Sequence, residues 1–260
     1  MTSLAKGWRI QTRVIGALLI RELTTRFGRE NIGFLWIMAE PMMFAGLVAL
    51  VWNFMKGPVE HGVSVMAFCI SGYIPLVLFR HSVSRAVGIF KANMSLMYHR
   101  QIKITDFIFV RFLIEFIGHL MAFLFIAIIF NAVDIFPVPN DIGMVLLGWI
   151  YYSFFVVSLC FVLAPLSETS EIIEKIMPVT TYVMIPFSGA FYMASWLTPG
   201  VRDIILYMPP VHAMEMMRVG IFGHHVTPYY DLFYPIGVSA VLLLMGLALC
   251  RRIRRKLVVE

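Results

Sequence analysis

The sequence predicts an all-α membrane protein with six transmembrane helices, an N-terminal amphipathic interfacial helix and an outer re-entrant helical hairpin before the last span. Hydrophobic residues make up 60% of the chain and charged residues 14%. The mean hydropathy is +0.84, far above that of ordinary soluble domains. The connections between apolar runs are too short for a soluble domain of about 50 residues or more. We therefore expect a single membrane domain over residues 1–260.

Six apolar segments are long enough to cross a bilayer core, which needs roughly 20 residues of α-helix. Lys56, Gly57 and Pro58 end the first segment, and Pro165 ends the fourth, because proline and glycine interrupt helices. The predicted spans are 33–56, 63–84, 105–132, 141–165, 172–194 and 230–250.

The basic residues predict the orientation of the chain. They cluster before the first span, between the second and third spans, and after the last one. With six crossings these clusters share one side, which the positive-inside rule assigns to the cytoplasm together with both termini. The acidic loop between the fourth and fifth spans does not support the rule. The net charge of +6 is thus a signal of topology rather than of nucleic-acid binding.

The N-terminal residues 8–29 are too charged to cross the membrane, yet apolar and basic side chains alternate at helical spacing. This pattern predicts an amphipathic helix on the inner leaflet, with a solvated tail as the alternative. No short apolar run followed by a cleavage site is present, so we expect no signal peptide.

The region 195–229 contains two apolar pieces, 197–208 and 211–222, that prolines keep too short to cross. Such pieces are typical of re-entrant or interfacial helices, and we expect a helical hairpin in the outer leaflet. The alternative, a seventh span, would place the C-terminal basic cluster outside and violate the positive-inside rule.

Two motifs carry a resemblance to a known family. The first comprises Arg21, Glu22, Arg26, Gly33, Trp36, Glu40 and Pro41, and the second comprises Pro209, His212, Glu215 and Arg218. Together they resemble the permeases of type-2 ABC transporters that export capsular polysaccharide, with O-antigen exporter permeases as relatives. The resemblance covers essentially the whole chain, as one transmembrane domain of that type.

The resemblance implies a homodimer in the bacterial inner membrane, with a translocation path between the two copies. It also implies two copies of a separate ABC ATPase, a lipid-linked polysaccharide substrate, and periplasmic and outer-membrane export proteins as partners. The sequence agrees on one point, because it contains no Gly-Lys dipeptide and therefore no phosphate-binding loop of the GxxxxGK[ST] type. We expect no cofactor on this chain, with ATP and Mg²⁺ bound by the partner ATPase.

The connection 86–103 mixes basic and apolar residues and predicts a short amphipathic helix with exposed apolar anchors. In the resembled family this segment is the coupling helix that rests on the ATPase. An interfacial helix that only joins two spans is the alternative. The predicted coupling residues are Phe90, Asn93, Leu96, Met97 and Tyr98.

Ionisable residues within the apolar segments are costly unless they are paired. Arg111, Glu115 and His119 are four residues apart and share one face of the third span, so we expect them to pair with one another. Glu40 is expected to pair with Arg21 or Arg26. A role for the Arg111 group in substrate passage or gating is the alternative.

His212, Glu215 and Arg218 also share a helical face, where they are expected to pair or to contact the emerging glycan. A His-x-x-Glu pair without further ligands does not indicate a metal, and we predict none. For the substrate path we predict Arg80 and His81 at the inner mouth, and Tyr151 and Tyr152, whose rings could stack on sugars. Interfacial packing is the alternative role for these rings.

The predicted function is therefore the permease subunit of an ATP-driven exporter of lipid-linked capsular polysaccharide. The same architecture could instead move O-antigen, a teichoic-acid-like polymer, a lipid or a drug. A membrane-embedded glycosyl or acyl transferase is the alternative from another class. It is disfavoured because the ionisable residues form helix pairs and topology signals rather than a catalytic group, and no catalytic residues are predicted.

Overall fold

The protein is described by a computed structural model over residues 3–27, 32–97 and 101–257. Helices dominate these ranges, and the only strands within them form one short hairpin. The helices are α1 (Ser3–Phe27), α2 (Ile32–Lys56), α3 (Val65–Ala86), α4 (Ile89–Ala92), α5 (Met94–Met97), α6 (Ile104–Ala132), α7 (Ile142–Thr169), α8 (Glu171–Val183), α9 (Pro199–Ile205), α10 (Pro209–Phe222) and α11 (Phe233–Leu257).

Five of the described helices are long and apolar enough to cross a membrane, namely α2, α3, α6, α7 and α11. They coincide with five of the six predicted spans to within a few residues at most ends. The central helix is α3, with 78% of its apolar window buried, whereas the corresponding fractions are 17% for α2 and 22% for α11. The surfaces of α2 and α11 are thus open to lipid or to another subunit.

The segment predicted as the fifth span is not one continuous helix. Helix α8 has 13 residues and ends at Val183, where a 3₁₀ turn over Ile185–Phe187 replaces it. Pro186 lies in this turn, and Gly189 follows with a φ of 75°. At 1.5 Å per residue α8 is about 20 Å long, short of the roughly 30 Å of a bilayer core. The prediction of a single helix over 172–194 is therefore wrong.

The strand hairpin joins α2 to α3 and was not predicted. Strands β1 (Val59–Glu60) and β2 (Val63–Ser64) are antiparallel. The two turn residues, His61 and Gly62, have φ angles of 51° and 82°, as a two-residue hairpin turn with left-handed geometry requires. Ser64 then caps α3, because its hydroxyl accepts a hydrogen bond from the Ala67 amide at 3.4 Å.

Helix α7 is covered along its length by two helices. At its start the Asp141 amide donates to the Gly220 oxygen of α10 at 2.9 Å, and at Gly148 a Cβ atom would lie 2.7 Å from the Ala213 oxygen. Partner numbers fall along α10 as they rise along α7, so the two helices are antiparallel. Further along α7, Phe161 contacts α11 at Cys250. Helix α10 therefore covers the first half of α7 and α11 the second half.

The two short helices α9 and α10 match the two apolar pieces predicted between residues 195 and 229. Helix α10 is almost entirely buried against α7 and α3. Helix α1 confirms that the range predicted for the N-terminal helix is helical up to Phe27, and the last two residues of that prediction lie outside the described ranges.

Candidate functional site

A buried carboxylate joins three helices on the side predicted to face the cytoplasm. The Glu115 side chain of α6 is fully buried, and its Oε1 atom accepts from Arg26 Nη1 of α1 at 2.5 Å. Arg85 Nε of α3 lies 3.0 Å from the same atom. The Oε2 atom faces His81 and His119, each with a ring nitrogen at 3.7 Å. Glu115 thus links α1, α3 and α6 through two arginines.

The predicted mutual pairing of Arg111, Glu115 and His119 is only partly correct. His119 lies beside Glu115, but Arg111 Nε pairs with Glu22 of α1 at 2.9 Å. Arg111 Nη1 also donates to the Arg85 oxygen at 2.8 Å. The reason is that α1 packs along α6 and brings its own charged residues to it, which the sequence of α6 alone does not reveal.

The predicted pairing of Glu40 with Arg21 or Arg26 is wrong. Arg21 Nη1 donates to Asn93 Oδ1 at 2.8 Å, and Arg26 reaches Glu115. Glu40 instead lies 3.8 Å from His81 Nε2 of α3. The packing of α1 brings Arg26 to Glu115 of α6 and Arg21 to Asn93, between α4 and α5, rather than to Glu40.

His81, Glu115 and His119 bring one potential ligand atom each to within 4.8 Å of one another. The surroundings disfavour a cation there, because Arg26 and Arg85 already place two positive charges on the one carboxylate. His119 Nδ1 lies 2.8 Å from the Glu115 backbone oxygen, which can only accept, so that nitrogen carries the proton. We assign this cluster to ion pairing between helices.

An open cleft of about 500 Å³ lies between α2, α3 and α8. Polar and apolar groups both line it. The predicted path residues Arg80 and His81 lie in this cleft, beside Glu40 and Tyr182. The Arg80 guanidinium carbon lies 4.0 Å from the centre of the Tyr182 ring, in a cation–π contact. The cleft is therefore a charged and aromatic surface between two membrane helices and α8.

The predicted path residues are not all brought together. Tyr152 is 1% exposed and lines a separate, apolar cavity of about 210 Å³ between α3, α7, α8 and α10. Tyr151 is half-buried and packs against the core. The stacking role predicted for Tyr152 is wrong in this structure, because α8 and α10 cover that part of α7.

The predicted coupling segment consists of two single-turn helices, α4 and α5, on either side of Asn93. Phe90 is 1% and Asn93 3% exposed, so the expectation that they form exposed anchors is wrong. Leu96 and Met97 are half-buried against the core, and Tyr98 lies outside the described residues. Within α4, Asn93 and α5, the exposed residues are Lys91, Ala92, Met94 and Ser95.

Three hydrogen bonds join the described residues 88–93 to α1, α7 and α8. Asn93 Oδ1 accepts from Arg21 of α1, and the Gly88 amide donates to Ser167 Oγ of α7 at 3.2 Å. Lys91 Nζ donates to Glu174 Oε2 of α8 at 2.7 Å, and this bond raises the pKa of Lys91. A force on the coupling segment would therefore reach α1, α7 and α8 directly.

The outer motif holds loops together. His212 Nε2 lies 2.7 Å from the Leu206 oxygen, and its Nδ1 accepts from the Asp231 amide at 2.9 Å. Both ring nitrogens are thus occupied by backbone groups, which leaves neither for a metal. Glu215 Oε1 accepts from the Ala194 amide at 3.0 Å. Pro209 is buried at the start of the helix.

Arg218 binds the turn that follows α8. Its guanidinium donates to the backbone oxygens of Gly189, Ala190 and Tyr192, and it lies over the Phe68 ring of α3. The residue is 1% exposed, so these carbonyls replace the water that a free guanidinium would bind. The sequence motif is therefore the structural clamp between α10, α3 and this turn.

Residues of the first-span motif differ in environment. Trp36 is 58% exposed, and Pro41 is buried within α2, at the wall of the cleft. Gly33 lies in the first turn of α2. The motif thus has two parts. Charged residues of the part in α1 contact α6, and residues of the part in α2 border the cleft.

Comparison with known proteins places this architecture. Residues 13–222 match the family described as ABC-2 type transporter. The chain belongs to this family. This ABC-2 transporter chain is 38% identical over 248 residues to the capsule polysaccharide export inner-membrane protein CtrC of Neisseria meningitidis serogroup B, covering 95% of the chain and 94% of CtrC. It is 32% identical over 250 residues to the capsule polysaccharide export inner-membrane protein BexB of Haemophilus influenzae, covering 96% and 94%.

A more distant relative of the ABC-2 chain is the polysialic acid transport protein KpsM of Escherichia coli, 25% identical over 246 residues, with 94% of the chain and 95% of KpsM covered. The alignments to CtrC, BexB and KpsM are all nearly full-length.

Sequence reasoning missed Arg85, Tyr182 and Glu174 as site residues. Arg85 appeared only as part of a basic cluster, although it contacts the buried Glu115. Tyr182 lies in the segment assigned to a span, and nothing in its neighbours indicates a contact with Arg80. Glu174 appeared only in an acidic loop. Each acquires its role through packing between helices that are distant in sequence.

Proposed function

We propose that this chain is the permease subunit of an ATP-driven exporter that moves lipid-linked capsular polysaccharide from the cytoplasm to the periplasm. The observation that carries the proposal is the nearly full-length similarity, at 32–38% identity, to inner-membrane proteins of capsule polysaccharide export. The open cleft with charged and aromatic walls supports it, because a moving glycan needs polar and stacking contacts without a tight site.

In this proposal two copies of the chain enclose the path, and each copy binds one ABC ATPase subunit on the cytoplasmic side. The sparse burial of α2 supports a role in contacts outside the single chain. Apolar side chains recur along one of its faces at helical spacing, at Met43, Leu47, Leu50 and Phe54. The absence of a Gly-Lys dipeptide supports a separate ATPase.

The coupling segment α4–α5 would receive the motion of the ATPase. Its exposed residues Lys91, Met94 and Ser95 would form the contact, in place of the buried Phe90 and Asn93. The hydrogen bonds to α1, α7 and α8 would pass that motion to the cleft, since α8 forms one of its walls. Periplasmic and outer-membrane export proteins would continue the path.

The proposed topology has cytoplasmic termini and six crossings, with α8 and the following turn as the fifth. The turn is clamped by Arg218 to α10, which would lie in the outer leaflet with α9 as the re-entrant hairpin. This arrangement keeps the three basic clusters on the cytoplasmic side.

A strain that lacks this gene tests the function directly. Cells grown with a radiolabelled sugar precursor should accumulate labelled polymer in the cytoplasm and show none at the surface. Restoring the gene should return the polymer to the surface. A deletion strain that makes no polymer at all would instead indicate a synthetic enzyme, and normal surface polymer would exclude this chain from export.

A further inference from the structure

The cleft contains an arginine that lacks an anionic partner. Within the described ranges no carboxylate lies within 4 Å of Arg80, and its buried Nε atom has no hydrogen-bond partner. Other arginines in the helix bundle differ: Arg85 contacts Glu115, Arg111 contacts Glu22, and Arg218 donates to three carbonyls. A half-buried guanidinium among membrane helices is costly without a partner, so Arg80 is suited to bind an anionic ligand.

The geometry holds Arg80 ready for a ligand. The Tyr182 ring of α8 lies 4.0 Å from its guanidinium carbon and fixes it at the wall of the cleft. The contact with the tyrosine ring uses none of the Arg80 N–H groups in a conventional hydrogen bond. The guanidinium can therefore donate two parallel hydrogen bonds to a phosphate or carboxylate. Glu40 lines the same cleft, but it lies 3.8 Å from His81 and forms no ion pair with Arg80 within 4 Å.

The surroundings of the cleft indicate an amphiphile. The cleft wall residue Phe44 of α2 is 52% exposed, and on α8 the side chains of Val179 and Val183 are 62% and 57% exposed. A ligand whose anionic group reaches Arg80 from the bilayer would place its apolar part along these two helices. The volume of about 500 Å³ suits a charged group with part of a sugar, since ligand sites are commonly 300–1,000 Å³.

We propose that Arg80, held by Tyr182, binds the phosphate or carboxylate group of an anionic amphiphile in the cleft between α2, α3 and α8. The proposal rests on the proposed function in one respect, because the lipid-linked end of the exported polymer is the amphiphile that such a site would select. A bulk anionic phospholipid has the same chemistry and is the second source.

The test measures binding of dodecyl phosphate to the purified full-length chain in phosphatidylcholine nanodiscs. Zwitterionic dodecylphosphocholine and inorganic phosphate are the comparison probes. Dodecyl phosphate should bind at least tenfold more tightly than either. Arg80→Gln should weaken its binding about tenfold or more, the loss expected for hydrogen bonds to a charged group. Arg80→Lys, which keeps the charge without the planar fork, should lose less.

The matched control is Arg202→Gln, because Arg202 also lies over a tyrosine ring, that of Tyr229, at 4.3 Å. It lies on α9, outside the cleft, and its replacement should leave binding unchanged. The thermal stability of Arg80→Gln should equal or exceed that of the wild type, since an unpaired cation is removed. Equal dodecyl phosphate binding by Arg80→Gln and the wild type would overturn the proposal, as would equal binding of inorganic phosphate.

A second arm separates the two sources. In nanodiscs with phosphatidylglycerol, loss of dodecyl phosphate binding would identify bulk anionic phospholipid as the occupant. Retained binding would identify a site reserved for the anionic group of the substrate. Both outcomes support an anionic-amphiphile site. Because this assay involves no transport, its failure would leave the export result of the deletion strain intact, so the two proposals fail separately.

Discussion

Replacing Arg218 should destabilise the protein far more than replacing another arginine of the same outer region. In Arg218→Met, the backbone oxygens of Gly189, Ala190 and Tyr192 lose their donor at a site where the side chain is 1% exposed. Each buried acceptor left without a partner costs about 1–3 kcal/mol. For three carbonyls the lower value gives a total cost of about 3 kcal/mol. The total should stay well below three times the upper value, because the turn can relax and expose part of these carbonyls to other donors. We expect a loss of about 3–5 kcal/mol.

Thermal unfolding of the detergent-solubilised protein, followed by fluorescence-detected size exclusion, measures this loss. On the scale of soluble proteins of about this size, a loss of about 3–5 kcal/mol corresponds to a Tm decrease of roughly 6–20 °C. The control Arg202→Met removes a contact with the Tyr229 ring that is worth about 0.5–1 kcal/mol. Arg218 also interacts electrostatically with the buried carboxylate of Glu215, so adding Glu215→Gln to Arg218→Met should recover part of the loss by removing a charge left without that cation. Equal Tm decreases for the two arginine variants would refute the clamp.

Gly72→Ala should disrupt the same region, because its Cβ would lie 2.0 Å from the Ala190 oxygen, whereas Gly200→Ala, with nothing within 4 Å, should leave the Tm unchanged. Similar elution profiles and Tm values for both variants would contradict the close approach of α3 to the turn. Met94→Glu should abolish co-purification of the proposed partner ATPase and leave the Tm unchanged. Val201→Glu is the control, because Val201 is 47% exposed and Met94 49%, and it should leave co-purification intact. Intact complexes with both variants would exclude α5 from the contact. Single cysteines introduced into the predicted outer loops should be labelled from the periplasm, and the three native cysteines should not interfere because they are buried. Protection of every introduced cysteine would overturn the topology. The labelling positions are Glu60, Asn140 and His225.

The long helices were predictable because their signal is local. A run of about 20 apolar residues must be helical in a bilayer, since every backbone donor and acceptor needs a partner within the segment. The five helices that are long and apolar enough to cross a membrane therefore match their predicted ranges to within a few residues at most ends. The segment 172–194 has the same apolar character but contains Pro186 and Gly189, which end the helix early. Composition alone overlooked these two positions.

The charged contacts were less predictable because they depend on which helices become neighbours. Glu115 was recognised as a residue that needs a partner, yet its partners come from α1 and α3, at Arg26 and Arg85. Helical spacing restricted the choice to residues of the same helix. The prediction that Phe90 is exposed was wrong for a similar reason, since the segment folds as two single helical turns rather than one amphipathic helix.

The most direct measurement of the central claim uses inverted inner-membrane vesicles that contain this chain and the ABC ATPase proposed as its partner. Radiolabelled lipid-linked polymer, made by the glycosyltransferases of the native host, is presented on the outer face, and protection from an added glycosidase reports its entry into the lumen. We predict protection that requires hydrolysable ATP and that is lost in vesicles from cells lacking the chain. Polymer that stays accessible with ATP, or becomes protected equally without the chain, would contradict its role as the export permease.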